Sequence, residues 1–587
     1  MAIETSIPSE YYDDNYIPGT TNILTGQQNE LNSITSTKSI KRDKNGLVLI
    51  PQPTDSPNDP LNWSNVRKYW NYFLLIFYTA LTAATSNDAG ATQDSLNERY
   101  GISYDAMNTG AGVLFASIGV AAYLLSPAPD LYGRKIAYLL CLLVGLVGCI
   151  WFAVSRRTSD TIWSQLFVGS SEAAAESLVL LSITDLFFQN QLGFHMFLYI
   201  FSTSVGTFLG PLIAGYIAHY QSFRWVGWWG AIICGATLVI FIFFYEETSF
   251  ERYLYAKVYD STSIDGDYDV TNDKDIIVKE DDDKKSTIDT KIYNEAEPHQ
   301  HPVSSNRELA DIKTNEMFNI DPETKEEKPR PYYKSIALIT PASFLVGTGF
   351  KQYLKRLWLY LKVFRFEIVV WSGLMWGFQD VLLSFYLTTE ETIFYDPPYN
   401  YSDFGVANLN IATLVGSIIG CFLAGYVSDY YVSWIAKRNG GLYEPEYRLY
   451  LLFITLILSP AGLIMFGVGS DKQWSPVCIY AGLAFVGFGF GSVGELALSY
   501  TVDCYPEITI ISMVIVALIN NLLACVFTFV CSLWLDASGT TNTYIALAVI
   551  EFALIALIIP LIYYGKRIRQ KSKKNYIELI ELLNGLK

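Results

Sequence analysis

The sequence predicts an all-α membrane protein with twelve transmembrane helices arranged as two halves of six. Of its 587 residues, 51% are hydrophobic. Apolar runs of about 20 residues recur along the chain, and a helix of about that length crosses the ~30 Å hydrocarbon core of a bilayer. The interiors of these runs contain no Lys or Arg, and a polar segment, residues 246–365, separates the first six runs from the last six.

The apolar runs give the limits of the twelve predicted spans, which are numbered in chain order. Spans 1 to 6 are residues 69–94, 108–127, 136–154, 161–183, 194–218 and 225–245. Spans 7 to 12 are residues 366–389, 404–427, 448–468, 477–500, 509–533 and 544–564. The polar residues before span 1 lack a cleavable signal pattern. We therefore expect span 1 to serve as an uncleaved signal anchor.

Basic residues in the connections predict the orientation of the spans. If the N-terminus is cytosolic, the outer connections contain only five of the 41 Lys and Arg residues. Cytosolic loops of membrane proteins are enriched in these residues, so we expect both termini in the cytosol. The sequon at Asn400 then falls in the outer connection between spans 7 and 8, where it is either a glycosylation site or a chance match.

This topology divides the chain into six predicted parts. Two repeated halves of six spans are expected to surround a central path. The connection between them is charged and poor in large apolar residues, which predicts a largely disordered segment, and it ends in a basic, aromatic stretch typical of an interfacial helix. The parts are a cytosolic N-terminal tail (1–65), the N-terminal half (66–250), the cytosolic linker (251–348), the interfacial amphipathic helix (349–364), the C-terminal half (365–566) and a cytosolic C-terminal tail (567–587).

Several segments resemble transporters of the major facilitator superfamily. SPNDPLNWS (56–64) resembles the segment before span 1 in fungal members, and PDLYGRK (129–135) resembles the cytosolic motif between spans 2 and 3. GTFLGPLIAG (206–215) resembles the span-5 motif of the drug:proton antiporter branch, although small residues at this spacing also serve close helix packing alone. The matching residues, which the resemblance implies control conformational change, are Asp130, Gly133, Arg134, Lys135, Gly206, Gly210, Pro211 and Gly215.

Further segments resemble a fungal subgroup of plasma-membrane polyamine permeases, which also admit histidinol and other organic cations. They are TSNDAGATQDSLN, TIWSQLFVG, NYSDFGVA, TNTYIALAVI and YYGKRIR. This resemblance implies uptake of spermidine, putrescine, spermine and related cations, driven by the proton gradient or the membrane potential. The antiporter branch begins its span-4 motif with Arg, whereas this span has none and carries Gln165 near its outer end. Proton antiport by the usual route is therefore not implied.

Spans 1, 4, 7 and 10 carry carboxylates, and these spans line the cavity in the superfamily that the chain resembles. A charged side chain at mid-membrane costs about 2.5–3.5 kcal/mol on insertion scales and usually faces a wet cavity. The alternative is a private hydrogen-bonded niche for each acid. We favour one shared cavity, because its counter-charge could then be a cationic substrate or a proton. The residues are Asp88, Glu172, Glu176, Asp380 and Glu495.

Two pairs of residues suggest how this cavity works. Glu172 and Glu176 are four residues apart, so they project from one face of span 4, and like charges at that spacing resist joint ionisation. We expect one of them to hold a proton that a multivalent amine displaces. Trp376 lies one turn before Asp380, where its indole could attract an alkylammonium or simply pack between helices.

Other polar residues in the spans have structural interpretations. Asn520 and Asn521 are expected to bond across helices more than to bind substrate. Glu551 is expected to bond to a neighbouring helix, and Glu390 and Glu391 are expected at the surface. The eight cysteines show no metal spacing and are expected to be unpaired core residues.

The sequence therefore predicts a carrier that works by alternating access, with Glu176 and Asp380 as the principal amine ligands. Glu172, Glu495, Asp88 and Trp376 are expected to support them. The alternatives are a proton-coupled exporter of cationic drugs, a nutrient sensor that signals through the linker, and a cation channel. An enzyme, an ATP-driven pump, a cofactor, a metal and a nucleic-acid partner are not expected, because no corresponding motif is present. We expect a monomer whose partners are organic cations, protons and the bilayer.

Overall fold

The computed structural model describes residues 9–13, 16–22, 41, 49, 51–252, 254–255, 327–395 and 397–586. Most of the predicted linker lies outside the described residues, so its disorder stays a prediction. Within the described part, the chain is helical apart from short connections and one antiparallel pair of two-residue strands, Thr21–Asn22 and Leu442–Tyr443.

The twelve predicted spans correspond to long helices. Spans 1 to 6 are Asn65–Asn87, Tyr104–Leu125, Arg134–Val154, Thr158–Leu186, Gln189–Tyr220 and Phe223–Phe244. Spans 7 to 10 are Glu367–Ile393, Leu409–Phe422 continuing through Leu423–Val427 into Ser428–Arg438, Leu452–Asp471 and Pro476–Cys504. Spans 11 and 12 come from Thr509–Ala556, which is followed by the helix Ile558–Asn584.

Ten helical stretches of the described chain are long and apolar enough to cross a membrane. One of these, Pro506–Asn584, supplies two spans, because Gly539 has φ 75° and ψ 157° and breaks the helix. Span 1, Asn65–Asn87, is less apolar and completes the twelve. The predicted all-α membrane fold is confirmed.

Shorter elements lie between the spans. In the first half they are Ser9–Tyr12, Pro60–Asn62, Gly90–Thr92, Gln93–Tyr100 and Ala128–Tyr132. In the second they are Tyr332–Ser335, Phe350–Tyr360, Leu361–Arg365, Asp403–Ala407, Pro445–Leu451 and Pro506–Ile508. Helix Phe350–Tyr360 falls within the stretch predicted to be interfacial. It presents exposed Phe350 and Trp358.

The motif between spans 2 and 3 forms a charged network. Gly133 has φ 97°, a conformation that favours glycine, and a Cβ there would lie 2.6 Å from Glu247 Oε2. Glu247 accepts a hydrogen bond from the backbone N–H of Arg134 (2.9 Å) at the start of span 3. The Arg134 guanidinium contacts Asp185 (3.2 Å) and Asp130 (3.3 Å). This network fixes the loop to the inner ends of spans 3 and 4.

The same loop is tied to the connection between the halves. Asp130 forms a second ion pair with Arg356 of helix Phe350–Tyr360 (3.1 Å). Arg356 also donates a hydrogen bond to the carbonyl of Leu586 (3.3 Å). Lys135 donates to the carbonyls of Tyr245 (2.8 Å) and Ile336 (2.9 Å). On this side of the molecule, charged side chains therefore join the two halves.

Span 5 packs closely on span 1 through its glycines. A Cβ at Gly206 would lie 2.4 Å from the carbonyl oxygen of Ala80, and one at Gly210 would lie 2.6 Å from that of Ala84. Pro211 lies inside span 5. In this structure the motif thus serves close helix packing, which places the polar end of span 1 beside the central axis.

The N-terminal segment, residues 16–22, lies on the inner face of the C-terminal half. Arg569, which is fully buried, forms an ion pair with Glu446 (2.7 Å) and donates hydrogen bonds to the carbonyl of Pro18 and the hydroxyl of Thr20. The strand Thr21–Asn22 pairs with Leu442–Tyr443 next to this cluster. The segment predicted to be part of a cytosolic tail is thus partly folded against the C-terminal half.

Candidate functional site

A cavity of about 370 Å³ lies between the two halves, and we call it the central cavity. Three of the predicted acids line it: Glu172, Glu176 and Asp380. No Lys, Arg or His is found among the described residues that line it. The cavity therefore brings together three carboxyl groups that have no basic partner among the described residues lining it.

The convergence of these acids follows from helix geometry. Glu172 and Glu176 are one turn apart on span 4 and therefore share a face. Span 7 brings Asp380 to the same space from the other half, and Glu176 interacts electrostatically with both Glu172 and Asp380. Because unpaired charge is costly away from water, this arrangement suits a cationic guest or bound protons.

Glu176 is also bonded across the two halves. The Asn521 amide of span 11 donates a hydrogen bond from Nδ2 to Glu176 Oε2 at 2.6 Å and another to the carbonyl of Ala517 at 2.9 Å. Its neighbour Asn520 lies close to Asp380. The expected bonding across helices holds for Asn521, whereas neither Nδ2 nor Oδ1 of Asn520 has a hydrogen-bond partner among the described residues. Sequence reasoning missed that Asn521 bonds to a cavity carboxylate, because the two residues are distant in sequence.

Aromatic side chains form one wall of the central cavity. Trp376, Phe490 and Phe115 line it, and the rings of Trp376 and Phe490 lie 5.5 Å apart. Trp376 packs flat against Gly494 of span 10, where an added Cβ would lie 1.3 Å from the indole Cζ3. The position of the indole beside Asp380 therefore requires glycine at residue 494.

Replacing Gly494 with alanine is expected to displace Trp376 and lower transport by about tenfold, since overpacking typically costs 1–3 kcal/mol. The measurement is the initial rate of substrate uptake at matched surface expression. Gly235→Ala is the control, because a Cβ there meets only Leu146 at an ordinary 3.6 Å. Unchanged transport by Gly494→Ala would mean that the indole position is unimportant.

The structure does not bring Asp88 to the central cavity. Span 1 was predicted to continue to residue 94, but its helix ends at Asn87, and Asp88 is the capping residue. The electrostatic neighbours of Asp88 are Cys149 in span 3 and Cys234 in span 6. Because the helix ends before Asp88, this carboxylate does not line the central cavity.

Glu495 also lies apart from the central cavity. It is buried between spans 8 and 10, where its Oε1 would be 2.5 Å from a Cβ on Gly425. Its charged neighbours are Asp429 and Arg448, and Arg448 itself pairs with Asp429 at 2.7 Å. Sequence reasoning placed Glu495 with the other acids. In the structure it belongs to a charged cluster at the inner end of the C-terminal half.

Two other buried acids occupy niches of their own. The prediction that Glu390 lies at the surface is wrong, because span 7 continues to Ile393 and the Glu390 carboxylate accepts a hydrogen bond from Asn410 of span 8 at 3.1 Å. Glu551 accepts hydrogen bonds from Ser459 (2.6 Å) and Gln379 (3.3 Å). This confirms that Glu551 bonds to neighbouring helices.

All eight cysteines are free, as expected.

The central cavity continues into two neighbouring cavities. An outer cavity of about 740 Å³ shares Ser86 and Asn87 with it, and an inner cavity of about 600 Å³ shares Glu176 and Trp376. The three spaces form a path along the interface of the halves. Its acidic centre lies between an outer part, whose walls combine neutral polar side chains with apolar ones, and an inner part with largely apolar walls.

Contacts between the halves are present on both sides of the central cavity. On the outer side, Asn108 of span 2 donates a hydrogen bond to Ser532 of span 11 at 2.8 Å. On the inner side, Leu180, Met196 and Met513 form a buried apolar cluster. Because helices from both halves contribute to each contact, relative motion of the halves would open one side or the other.

Two halves of six spans around an enclosed, charged cavity are characteristic of a carrier that moves small molecules across a membrane. Residues 72–528 match the model of the Major Facilitator Superfamily, and the chain belongs to this family of multi-pass membrane transporters. This membership also indicates a transporter and not an enzyme.

Known relatives cover nearly the whole chain. It is 51% identical over 582 residues to Protein HOL1 of Saccharomyces cerevisiae, covering 97% of this chain and 98% of that protein. It is 44% identical to an uncharacterized transporter of the same superfamily from Schizosaccharomyces pombe, covering 99% and 97%. It is 22% identical to the probable drug/proton antiporter YHK8 of Saccharomyces cerevisiae, covering 94% and 96%.

A solved structure supports the fold. A peptide transporter crystallised with sulfate superposes with a TM-score of 0.52 at 12% identity, and the match covers 85% of this chain and 95% of that chain.

Proposed function

We propose that this transporter takes up polyamines and related organic cations across the plasma membrane by alternating access. The observation that carries the proposal is the cluster of Glu172, Glu176 and Asp380 in a cavity with no basic side chain among its described lining residues. An amine with several ammonium groups supplies the missing positive charge. The aromatic wall of Trp376 and Phe490 suits its methylene segments and adds cation–π attraction.

The same carboxylates provide a route for proton coupling in this proposal. Glu172 and Glu176 stand one turn apart, so they repel each other when both are ionised. In the empty carrier one of them holds a proton, and an arriving polyamine displaces it. Because the amine and the proton compete for the same carboxyl groups, this cycle moves protons in the direction opposite to the amine, and uptake is driven by the membrane potential acting on the multivalent cation.

The topology of the proposal places both termini in the cytosol and the Asn400 sequon outside the cell, with the chain acting as a monomer. Asn400 is followed by the described helix Asp403–Ala407 in the connection between spans 7 and 8. A mobility shift after glycosidase treatment, absent in Asn400→Gln, tests the outer location of this residue.

Cells that express the chain are expected to accumulate radiolabelled spermidine in a saturable manner. Accumulation should fall when the membrane potential is collapsed, and also when the external pH is lowered, because protons compete with the amine for the carboxyl groups. The measurement is initial uptake across a range of external pH, with and without an ionophore. Cells that lack the chain are the control. Equal uptake in both would exclude polyamine import.

A second candidate is export of cationic drugs. It is favoured by the span-5 motif and by the similarity to a probable drug/proton antiporter. The two functions differ in the direction of flux, which sealed vesicles of known orientation measure directly. Efflux of a cationic dye against its gradient, without spermidine influx, would favour export.

A further inference from the structure

Span 4 presents three polar side chains in one column along the transport path. Gln165, Glu172 and Glu176 are spaced by seven and four residues, so they lie on the same face of the helix. At about 1.5 Å of rise per residue, Gln165 lies ~10 Å from Glu172 along the helix axis, and Glu176 lies ~6 Å further. Glu172 and Glu176 line the central cavity, and Gln165 lines the outer one.

The amide of Gln165 is buried, with only 4% of its surface exposed. Its Oε1 has no hydrogen-bond partner among the residues that the structure describes. By contrast, the nearby hydroxyl of Thr161, which lines the same cavity, already donates to the carbonyl of Thr158 at 2.8 Å. A buried acceptor without a donor is unfavourable, so a ligand that donates a hydrogen bond would stabilise this site.

The surroundings of Gln165 determine the chemistry of that ligand. The outer cavity has no charged side chain among its described lining residues, which include Asn87, Asn108 and Thr388. Ser86 and Phe115 line both cavities and connect them. A ligand that reaches from the carboxylates to Gln165 would therefore pass an aromatic ring and end in a neutral space of mixed polar and apolar side chains, where Gln165 Oε1 is an acceptor without a partner among the described residues. An extended polyamine has this pattern of ammonium groups separated by methylenes.

We propose that Gln165 Oε1 accepts a hydrogen bond from the distal ammonium of an extended polyamine whose opposite end binds at the carboxyl groups of Glu172, Glu176 and Asp380. The axial distance from Gln165 to Glu172 is comparable to the length of an extended triamine. A diamine is shorter than this distance, so a diamine held at the carboxyl groups is not expected to reach Gln165. Gln165 is thus a specificity residue that favours triamines and longer amines over diamines. This inference rests on the proposed polyamine function.

The test compares spermidine and putrescine in the full-length transporter. Gln165→Leu removes the acceptor at similar volume, so the KM for spermidine should rise about tenfold, the size expected for loss of one hydrogen bond to a charged group. The KM for putrescine should stay within about twofold. Gln165→Glu introduces a carboxylate at the same place and should lower the KM for spermidine while leaving that for putrescine unchanged. Ser170→Ala is the matched control on the same helix and should change neither value, since its hydroxyl donates to the carbonyl of Leu166 (2.7 Å) and Ser170 lines none of the three cavities.

Two outcomes would overturn the inference. One is that a Gln165 variant changes the KM for spermidine and the KM for putrescine by the same factor. The other is that both KM values stay unchanged in both Gln165 variants. If Gln165→Leu fails to reach the membrane, the ratio of the two KM values in Gln165→Glu decides alone. A wild-type transporter that carries neither amine would refute the proposed function itself. A wild-type transporter that carries both while Gln165 is without effect would refute only the subsite.

Discussion

Replacing Glu176 with glutamine is expected to reduce polyamine uptake about 10- to 100-fold. The change removes one negative charge from the central cavity, and a hydrogen bond to a charged group contributes about 1.5–3 kcal/mol, where each 1.4 kcal/mol is about tenfold in affinity. The glutamine oxygen can still accept the hydrogen bond from Asn521, so the contact between the halves is kept. The measurement is the KM and maximal rate of spermidine uptake at matched surface level.

The matched control is Glu551→Gln, which neutralises a buried acid that does not line the cavity. Its Oε1 accepts hydrogen bonds from Ser459 and Gln379, and a glutamine oxygen can accept both. Uptake should therefore remain near the wild-type rate. Asp380→Asn should resemble Glu176→Gln. If both cavity variants transport as well as the Glu551 variant, these carboxylates do not bind the substrate.

Loss of Glu446 is expected to destabilise the protein by about 3–5 kcal/mol, because it leaves the buried Arg569 without its counter-ion. Arg569 is fully enclosed, and two of its nitrogens donate to Glu446 at 2.7–3.0 Å. The expected result for Glu446→Ala is a lower melting temperature in detergent and a smaller amount of protein at the membrane.

A double variant separates the loss of the charge pair from the loss of packing. Replacing a buried ion pair by apolar residues of similar volume is often neutral for stability, so Arg569→Met with Glu446→Leu should recover much of the loss. The control is Lys571→Ala, which removes an exposed pair with Glu367 (3.4 Å, with 81% of the lysine side chain exposed). That change should have no measurable effect. A melting temperature of Glu446→Ala equal to that of Lys571→Ala would contradict the prediction.

The fold could be predicted from the sequence because its signals are local. Each span is an apolar run, and the bias of Lys and Arg orders the runs across the bilayer. The meeting of Glu172, Glu176 and Asp380 was also predictable. Two of these acids share a helix face, and the resemblance to the superfamily identifies spans 4 and 7 as cavity helices.

The predictions that failed concern features that depend on tertiary packing. The end of span 1 at Asn87 sends Asp88 toward spans 3 and 6, and no strong stop signal such as proline precedes that point. Glu390 is buried because Asn410 of span 8 reaches it, and no pattern within span 7 contains that information. Glu495 stands near Arg448. The prediction made Arg448 the first residue of span 9, whereas the structure places it in the connection Pro445–Leu451 before that span, so the position of this charged neighbour could not be read from the apolar runs.

The contact between residues 16–22 and the C-terminal half constrains the order of events during biosynthesis. Arg569 bonds to the carbonyl of Pro18, 551 positions earlier in the chain. Pro18 is translated long before Arg569, so its docking surface is absent while the intervening membrane helices are being made. The segment around Pro18 can therefore attach to this surface only after span 12 has been synthesised.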